Sequence, residues 1–225
     1  MRAARILVIG ATGRTGRLVV AEALARGHRV TGFARRPEMV ATEHPALTVL
    51  GGDGLRGDEV TAAVAHHDAV VSIVASGSVR RTTVNQTVAR HLVAAMGEHG
   101  TSRLVVTSSH ALVATRPPVL APLVRSVLRH PFADAREMER IVRGSGLDWR
   151  IVRPTRLVDA PARGAVVRAP DGADFATGAS VLPRADLAAT ILDVLEDDRL
   201  TRMAVEITGI AHTDRGDRDG RHRPE

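Results

Sequence analysis

The stretch from Ile6 to Val20, ILVIGATGRTGRLVV, passes from an apolar run straight into three glycines spaced G-x-x-G-x-x-G. A buried strand that turns at once into a helix accounts for the pattern. Gly10 lets the chain turn, Gly13 leaves room for a group beside the backbone, and Gly16 lets the helix pack closely on the sheet. Phosphates would then meet free N–H groups at the positive end of the helix. Spacing alone also suits an ordinary strand-to-helix turn. Its place near the N-terminus, with further strands at suitable intervals, favours a dinucleotide site built on Gly10, Thr12, Gly13, Arg14, Thr15 and Gly16.

Beyond this turn, short β-branched runs alternate with longer alanine- and leucine-rich segments of helical spacing, as expected of parallel strands joined by crossover helices. Strands are expected near 5–9, 29–34, 47–50, 69–74, 103–107 and 148–152, with a short one near 204–207; Gly27 and Gly100 should close helices. The predicted fold class is α/β, one doubly wound parallel sheet with helices on both faces. At 225 residues and 44% apolar composition, the chain has enough for one sizeable core. One domain over 1–210 is expected, with 211–225 (AHTDRGDRDGRHRPE) as a disordered tail.

The absence of cysteine excludes a disulfide framework, a thiolate metal site and a cysteine nucleophile, and fits the cytoplasm. The basic start is followed by an apolar run broken at Gly10, which does not make a signal peptide, and no run reaches membrane-spanning length. All 31 basic residues counted in the net charge of +6 are arginine, yet three Phe and one Trp give little with which to stack bases. The expected partner is a small molecule rather than nucleic acid or membrane, and the chain is either a monomer or a homodimer.

The residues after the second strand bear on the choice of dinucleotide. Where a carboxylate would grip the ribose diol of NAD, this chain reads TGFARRPE, and Arg35 and Arg36 suit a ribose 2′-phosphate. NADPH is therefore expected over NADH, two solvated arginines being the plainer alternative. Asp53, in GGDG, either accepts from the adenine amino group or forms an Asx turn.

GATGRTG, the arginine after the second strand, TTVNQTVARHLVAAMGEHG, VVTSSH, RGSGLDWRIVRPTRLVDAP and LPRADLAATILDVL together resemble the atypical short-chain dehydrogenase/reductases, and most of all the biliverdin-IXβ reductase/flavin reductase group. The resemblance extends to about Gly209. It implies a single Rossmann domain with the substrate over the nicotinamide, in a shallow cleft at the C-terminal ends of the strands. It also implies that Ser109 lies beside the nicotinamide, that Arg153, Pro154 and Thr155 border it, and that Ser76 and Gly77 let the cofactor pass.

The departures carry equal weight. The main branch of that superfamily uses Tyr-x-x-x-Lys for proton exchange; this chain has no tyrosine, and the matching segment reads Phe132-x-x-x-Arg136. A helix histidine found in some biliverdin-IXβ reductases is replaced by Glu139. Ser109, His110 and Thr155 remain as candidate catalytic groups, although adjacent residues on an extended segment face opposite ways, so Ser109 and His110 should not both face the substrate. His66-His67-Asp68 looks metal-like but reads better as a loop, and Arg136, Arg140 and Arg143 read as a solvated helix face. No metal is expected. The segments 111–131 and 164–178 should wall the pocket, with Arg80, Arg81 and Arg116 near its rim.

These features point to an NADPH-dependent reductase that passes hydride to a planar conjugated acceptor such as a flavin or tetrapyrrole. The alternatives are a redox sensor that binds the dinucleotide without turning it over, and an isomerase or epimerase on the same fold.

Overall fold

The structure is a computed structural model that describes residues 3–75, 81–113, 128–168 and 181–210. Seven strands, β1 (Arg5–Ile9), β2 (Arg29–Ala34), β3 (Leu47–Gly51), β4 (Ala69–Ser72), β5 (Arg103–Thr107), β6 (Asp148–Pro154) and the late β10 (Met203–Gly209), are parallel members of one sheet. Between β6 and β10 lie β7 (Arg156–Val158), β8 (Ala165–Arg168) and β9 (Val181–Pro183). The order across the large sheet is β3-β2-β1-β4-β5-β6-β10-β8, with β8 antiparallel at the edge, while β7 and β9 form a separate parallel pair. The strand order reverses between β1 and β4, and in open sheets of this kind ligands bind at that switch point.

Among the described residues, five helices cover the sheet: α1 (Gly16–Ala25), α2 (Gly57–Val64), α3 (Val84–His99), α4 (Arg129–Gly144) and α5 (Arg184–Glu196). Alternation along each strand divides the core in two. Ile6 and Val8 of β1, with Val71, Val105 and Val152, pack with Val19 of α1 and Ile191 of α5. Leu7 and Ile9, with Val70, Leu104 and Ile151, pack with Val60, Leu92 and Met138 of α2, α3 and α4. Burial on both faces explains why these strands read as continuous apolar runs. Gly100 takes φ +70° at the end of α3 and Gly27 takes φ +81° just past α1, the left-handed turns expected there.

Several boundaries differ from expectation. β4 stops at Ser72 rather than near 74, and β6 runs on to Pro154 because β10 pairs with it as far as Ile207↔Pro154. The strands β7, β8 and β9 were not expected, and β8 falls inside a segment read as pocket wall. Ser76, Gly77, Arg80, Arg116 and the tail 211–225 lie outside the described residues. No described helix is long and apolar enough to cross a membrane.

Candidate active site

The glycine turn leaves β1 at Gly10, whose φ of +88° is open to glycine, and a Cβ there would lie 2.5 Å from the Ile73 carbonyl oxygen. The turn is held by Gly10 N–H and Ala11 N–H donating to the Phe33 carbonyl of β2 and by Gly13 N–H donating to the Gly10 carbonyl at 3.0 Å. Gly16 opens α1 so close to this turn that a Cβ would stand 2.0 Å from the same Gly10 oxygen. Its N-terminus carries neither a side-chain cap nor an acid in the first turn. The N–H groups of Thr12, Arg14, Thr15 and Gly16 have no partner among the described residues. Uncapped donors at the positive end of a helix, over a cradle that side chains would fill, fit a diphosphate.

Arg35 and Arg36 follow β2, which is registered beside β1, so they stand next to the glycine turn. Both are exposed and neither makes an ion pair among the described residues. The Asp53 carboxylate accepts from Leu55 N–H at 3.1 Å, the Asx turn weighed above, while Asp53 N–H donates to Glu59. Arg14 instead pairs with Asp159 beyond β7, and Asp159 also holds Arg184 at 2.8 Å.

At the C-terminal ends of β4, β5 and β6 lies a cavity of about 390 Å³, within the size range of small-molecule sites. Thr15 joins it to the glycine turn. Ile73, Val74, Leu128, Pro131, Phe132, Ala135, Pro154, Leu157 and Leu187 make it largely apolar, and Asn85, Thr107, Ser108 and Ser109 supply its remaining polar side chains among the described residues. None of these described lining residues is titratable.

Beneath the floor runs a chain of buried polar groups. Ser108 donates its hydroxyl proton to Glu139 Oε1 at 2.7 Å, and Arg153 donates to both oxygens of Glu139, at 3.0 and 2.5 Å. Arg153 also approaches Glu206 at 4.0 Å, and Glu206 holds His110 at 3.1 Å. Burial opposes the charge of Glu139, yet the Arg153 and Ser108 hydrogen bonds outweigh it and hold the carboxyl below its ordinary range. Burial likewise opposes the charge of Arg153, and Glu139 more than restores it.

The structure thus brings Thr15, Ser109 and Pro154 to one cavity but not every expected residue. His110 opens a short 3₁₀ turn after β5 and faces Glu206 of β10, outside the described lining. Thr155 is drawn to β10 as well: its N–H donates to Ile207 and its hydroxyl to Thr208 at 3.4 Å, so it too lies outside that lining. The segment matched to Tyr-x-x-x-Lys is divided between cavity and solvent. Arg136 is exposed, and the α4 residues that reach the cavity are Pro131, Phe132 and Ala135. Arg143 is more than a solvated charge, since it lies 5.1 Å over the Trp149 ring and 3.7 Å from Glu139.

His66-His67-Asp68 sits at the opposite end of the sheet. His67 bonds Thr31 and the Ala65 carbonyl, and Asp68 accepts from Arg5, so these groups serve the loop. The described residues include no cluster of three metal-ligating side chains. Ser108, Glu139 and Arg153 formed no expected unit. The available signal was an acid on the apolar stripe of α4, four residues after Ala135 and seven after Phe132, with an arginine inside the apolar run IVRP.

Comparison with known proteins agrees with this geometry. A sequence profile of the family described as NAD(P)H-binding matches residues 10–198. A 3-beta-hydroxysteroid dehydrogenase of Mycolicibacterium neoaurum is 34% identical over 121 residues, 48% of this chain and 33% of that protein. An uncharacterised chloroplastic protein of Arabidopsis thaliana is 28% identical over 179 residues, 74% of this chain and 64% of that protein. The matches therefore span about a third and just under two thirds of those relatives. A short-chain dehydrogenase/reductase of Veillonella parvula, solved with NADP, superposes with a TM-score of 0.76 at 21% identity over 93% of this chain and 95% of that one. A proposed NAD-dependent epimerase/dehydratase of Bacillus halodurans gives 0.77 at 22% identity over 92% and 94%. With its strand order, open glycine turn and switch-point cavity, this chain belongs to the NAD(P)H-binding family and has a Rossmann fold.

Proposed function

We propose that the protein is an NADPH-dependent reductase that passes hydride to a planar conjugated ring, a flavin, tetrapyrrole or related small molecule. The observation that carries this reading is the cavity lining: apolar side chains, hydroxyls and one amide, with no titratable group among the described residues. Such a surface can hold two rings face to face and exclude water, and it offers no described side chain to exchange a proton with a carbonyl substrate. Bound NADPH would supply the hydride. Thr12–Gly16 would hold the diphosphate, and Ser109 would orient a ring at the cavity floor. Ser109 accepts from Ala111 N–H at 3.3 Å, which leaves its own proton to donate.

Stopped-flow oxidation of NADPH against flavins, quinones and tetrapyrroles tests the reading. Turnover with at least one planar acceptor is expected, and Ser109→Ala should slow it modestly, well short of the loss of an essential acid. Tight binding with no oxidation by any acceptor would replace the reductase with a redox sensor.

The preference for NADPH is supported by Arg35 and Arg36, exposed and without ion-pair partners among the described residues beside the glycine turn. NADPH should bind roughly tenfold more tightly than NADH, which needs only about 1.4 kcal/mol. Calorimetric titration of both cofactors with the wild type and Arg35→Ala checks this. Equal affinities, or an unchanged ratio in the variant, would remove the phosphate role.

A further inference from the structure

The two neighbouring serines on the cavity floor use their hydroxyls in opposite senses. Ser108 lies 2.7 Å from a carboxylate oxygen of Glu139. An ionised carboxylate only accepts, so the single Ser108 proton must point at it. Arg153 fixes that direction by occupying both oxygens of Glu139, in a pair whose side chains are 8% and 9% exposed. Neither partner can readily turn away, because either would leave a buried charge without its counterpart. Ser109 has the reverse commitment: its oxygen takes the Ala111 N–H, and its proton remains available. Both residues line the cavity.

We propose that Ser108 is a specificity-determining residue that offers the ligand an acceptor only, and that with the Ser109 donor it reads a C(=O)–N–H edge. A carbonyl oxygen would take the Ser109 proton, and the adjoining N–H would be taken by Ser108. The proposal rests on the cavity being the hydride-transfer site, but not on turnover. Two sources share this chemistry: the carboxamide of the nicotinamide ring, and a lactam or imide edge on the acceptor ring.

Binding to the full-length protein distinguishes them. For the cofactor, NADP⁺ is compared with its 3-acetylpyridine analogue, which keeps the carbonyl and lacks the N–H. For the acceptor, lumiflavin is compared with 3-methyllumiflavin in the presence of NADP⁺. One of the two pairs should differ by about five- to tenfold in the wild type, the scale of one neutral hydrogen bond. Ser108→Ala should bring that pair to equal affinity, and Ser108→Thr should restore the difference.

Glu139→Gln supplies a readout that a purely structural role would not move. Gln offers one acceptor oxygen where the carboxylate offered two, and Arg153 competes with Ser108 for it, so the Ser108 proton is no longer pinned and can turn to the cavity. The preference for the N–H ligand should vanish or reverse in a variant that still melts cooperatively. Wild type that discriminates in neither pair, or Ser108→Ala that discriminates as strongly as wild type, overturns the proposal. Because each arm measures binding, it stands or falls separately from whether NADPH is oxidised.

Discussion

Gly16→Ala should weaken NADP(H) binding by roughly a hundredfold or more, equivalent to about 2.7 kcal/mol. The added methyl would be placed 2.0 Å from the Gly10 carbonyl oxygen and 3.2 Å from the Ala11 Cα, both backbone atoms that cannot rotate aside. The displaced oxygen is the acceptor for Gly13 N–H, so moving it undoes the hydrogen bond that shapes the phosphate cradle. Overpacking of this kind commonly costs about 1–3 kcal/mol of stability as well. Gly97→Ala is the control, because a Cβ there meets nothing within 4 Å and a helical alanine is favourable. Titration and thermal melting of both variants check the expectation. Gly16→Ala binding within threefold of wild type would show that the turn tolerates the methyl.

The second large effect concerns the pair under the cavity floor. Glu139→Ala should destabilise the fold by roughly 3–5 kcal/mol, because Arg153 would keep its buried charge after losing both hydrogen bonds to the carboxylate, with only Glu206 at 4.0 Å to answer it. Glu139→Gln, which retains hydrogen bonding, should cost less. Since the folded protein holds the Glu139 carboxyl below its unfolded value, the contribution is fully present above about pH 4.3 and is lost as the pH falls through the lower folded value. Denaturant unfolding of wild type and Glu139→Ala at neutral and acidic pH should show the gap between them narrowing towards acid. A gap that stays constant or widens there would mean that the ionised carboxylate does not supply the stability.

The two-faced strands were legible because their signal is a local run dominated by β-branched and other apolar residues: β1, β2 and β5 occupy the expected residues. The short strands were not. β7 and β9 have three residues each, too few for any period to emerge, and β8 owes its place to pairing with β10, a partner distant in sequence. The same contrast holds at the site. The glycine turn is a local motif and could be read directly. Ser108 follows β5, Glu139 lies on α4 and Arg153 on β6, and only the packing of α4 against that end of the sheet makes them one network. Arg136 was legible as a solvated position, and the rotation of α4, set by its buried stripe Phe132, Ala135, Met138 and Val142, turns it to water.

Among the helices that begin beside the cleft, α1 and α3 are finished differently. In the first turn of α3, the N–H groups of Asn85 and Gln86 are each taken at 3.0 Å by the carboxylate of Asp134, a residue of α4 only 1% exposed. The start of α1 has no such plug. A cleft with two open helix starts would accept a dinucleotide either way round, since each could receive its phosphates. With the start of α3 already filled by a protein carboxylate, a dinucleotide bound as proposed would set its phosphates at the glycine turn and its nicotinamide towards β5. On that reading Asp134 would help to decide which end of the ligand enters the apolar cavity, without touching the ligand.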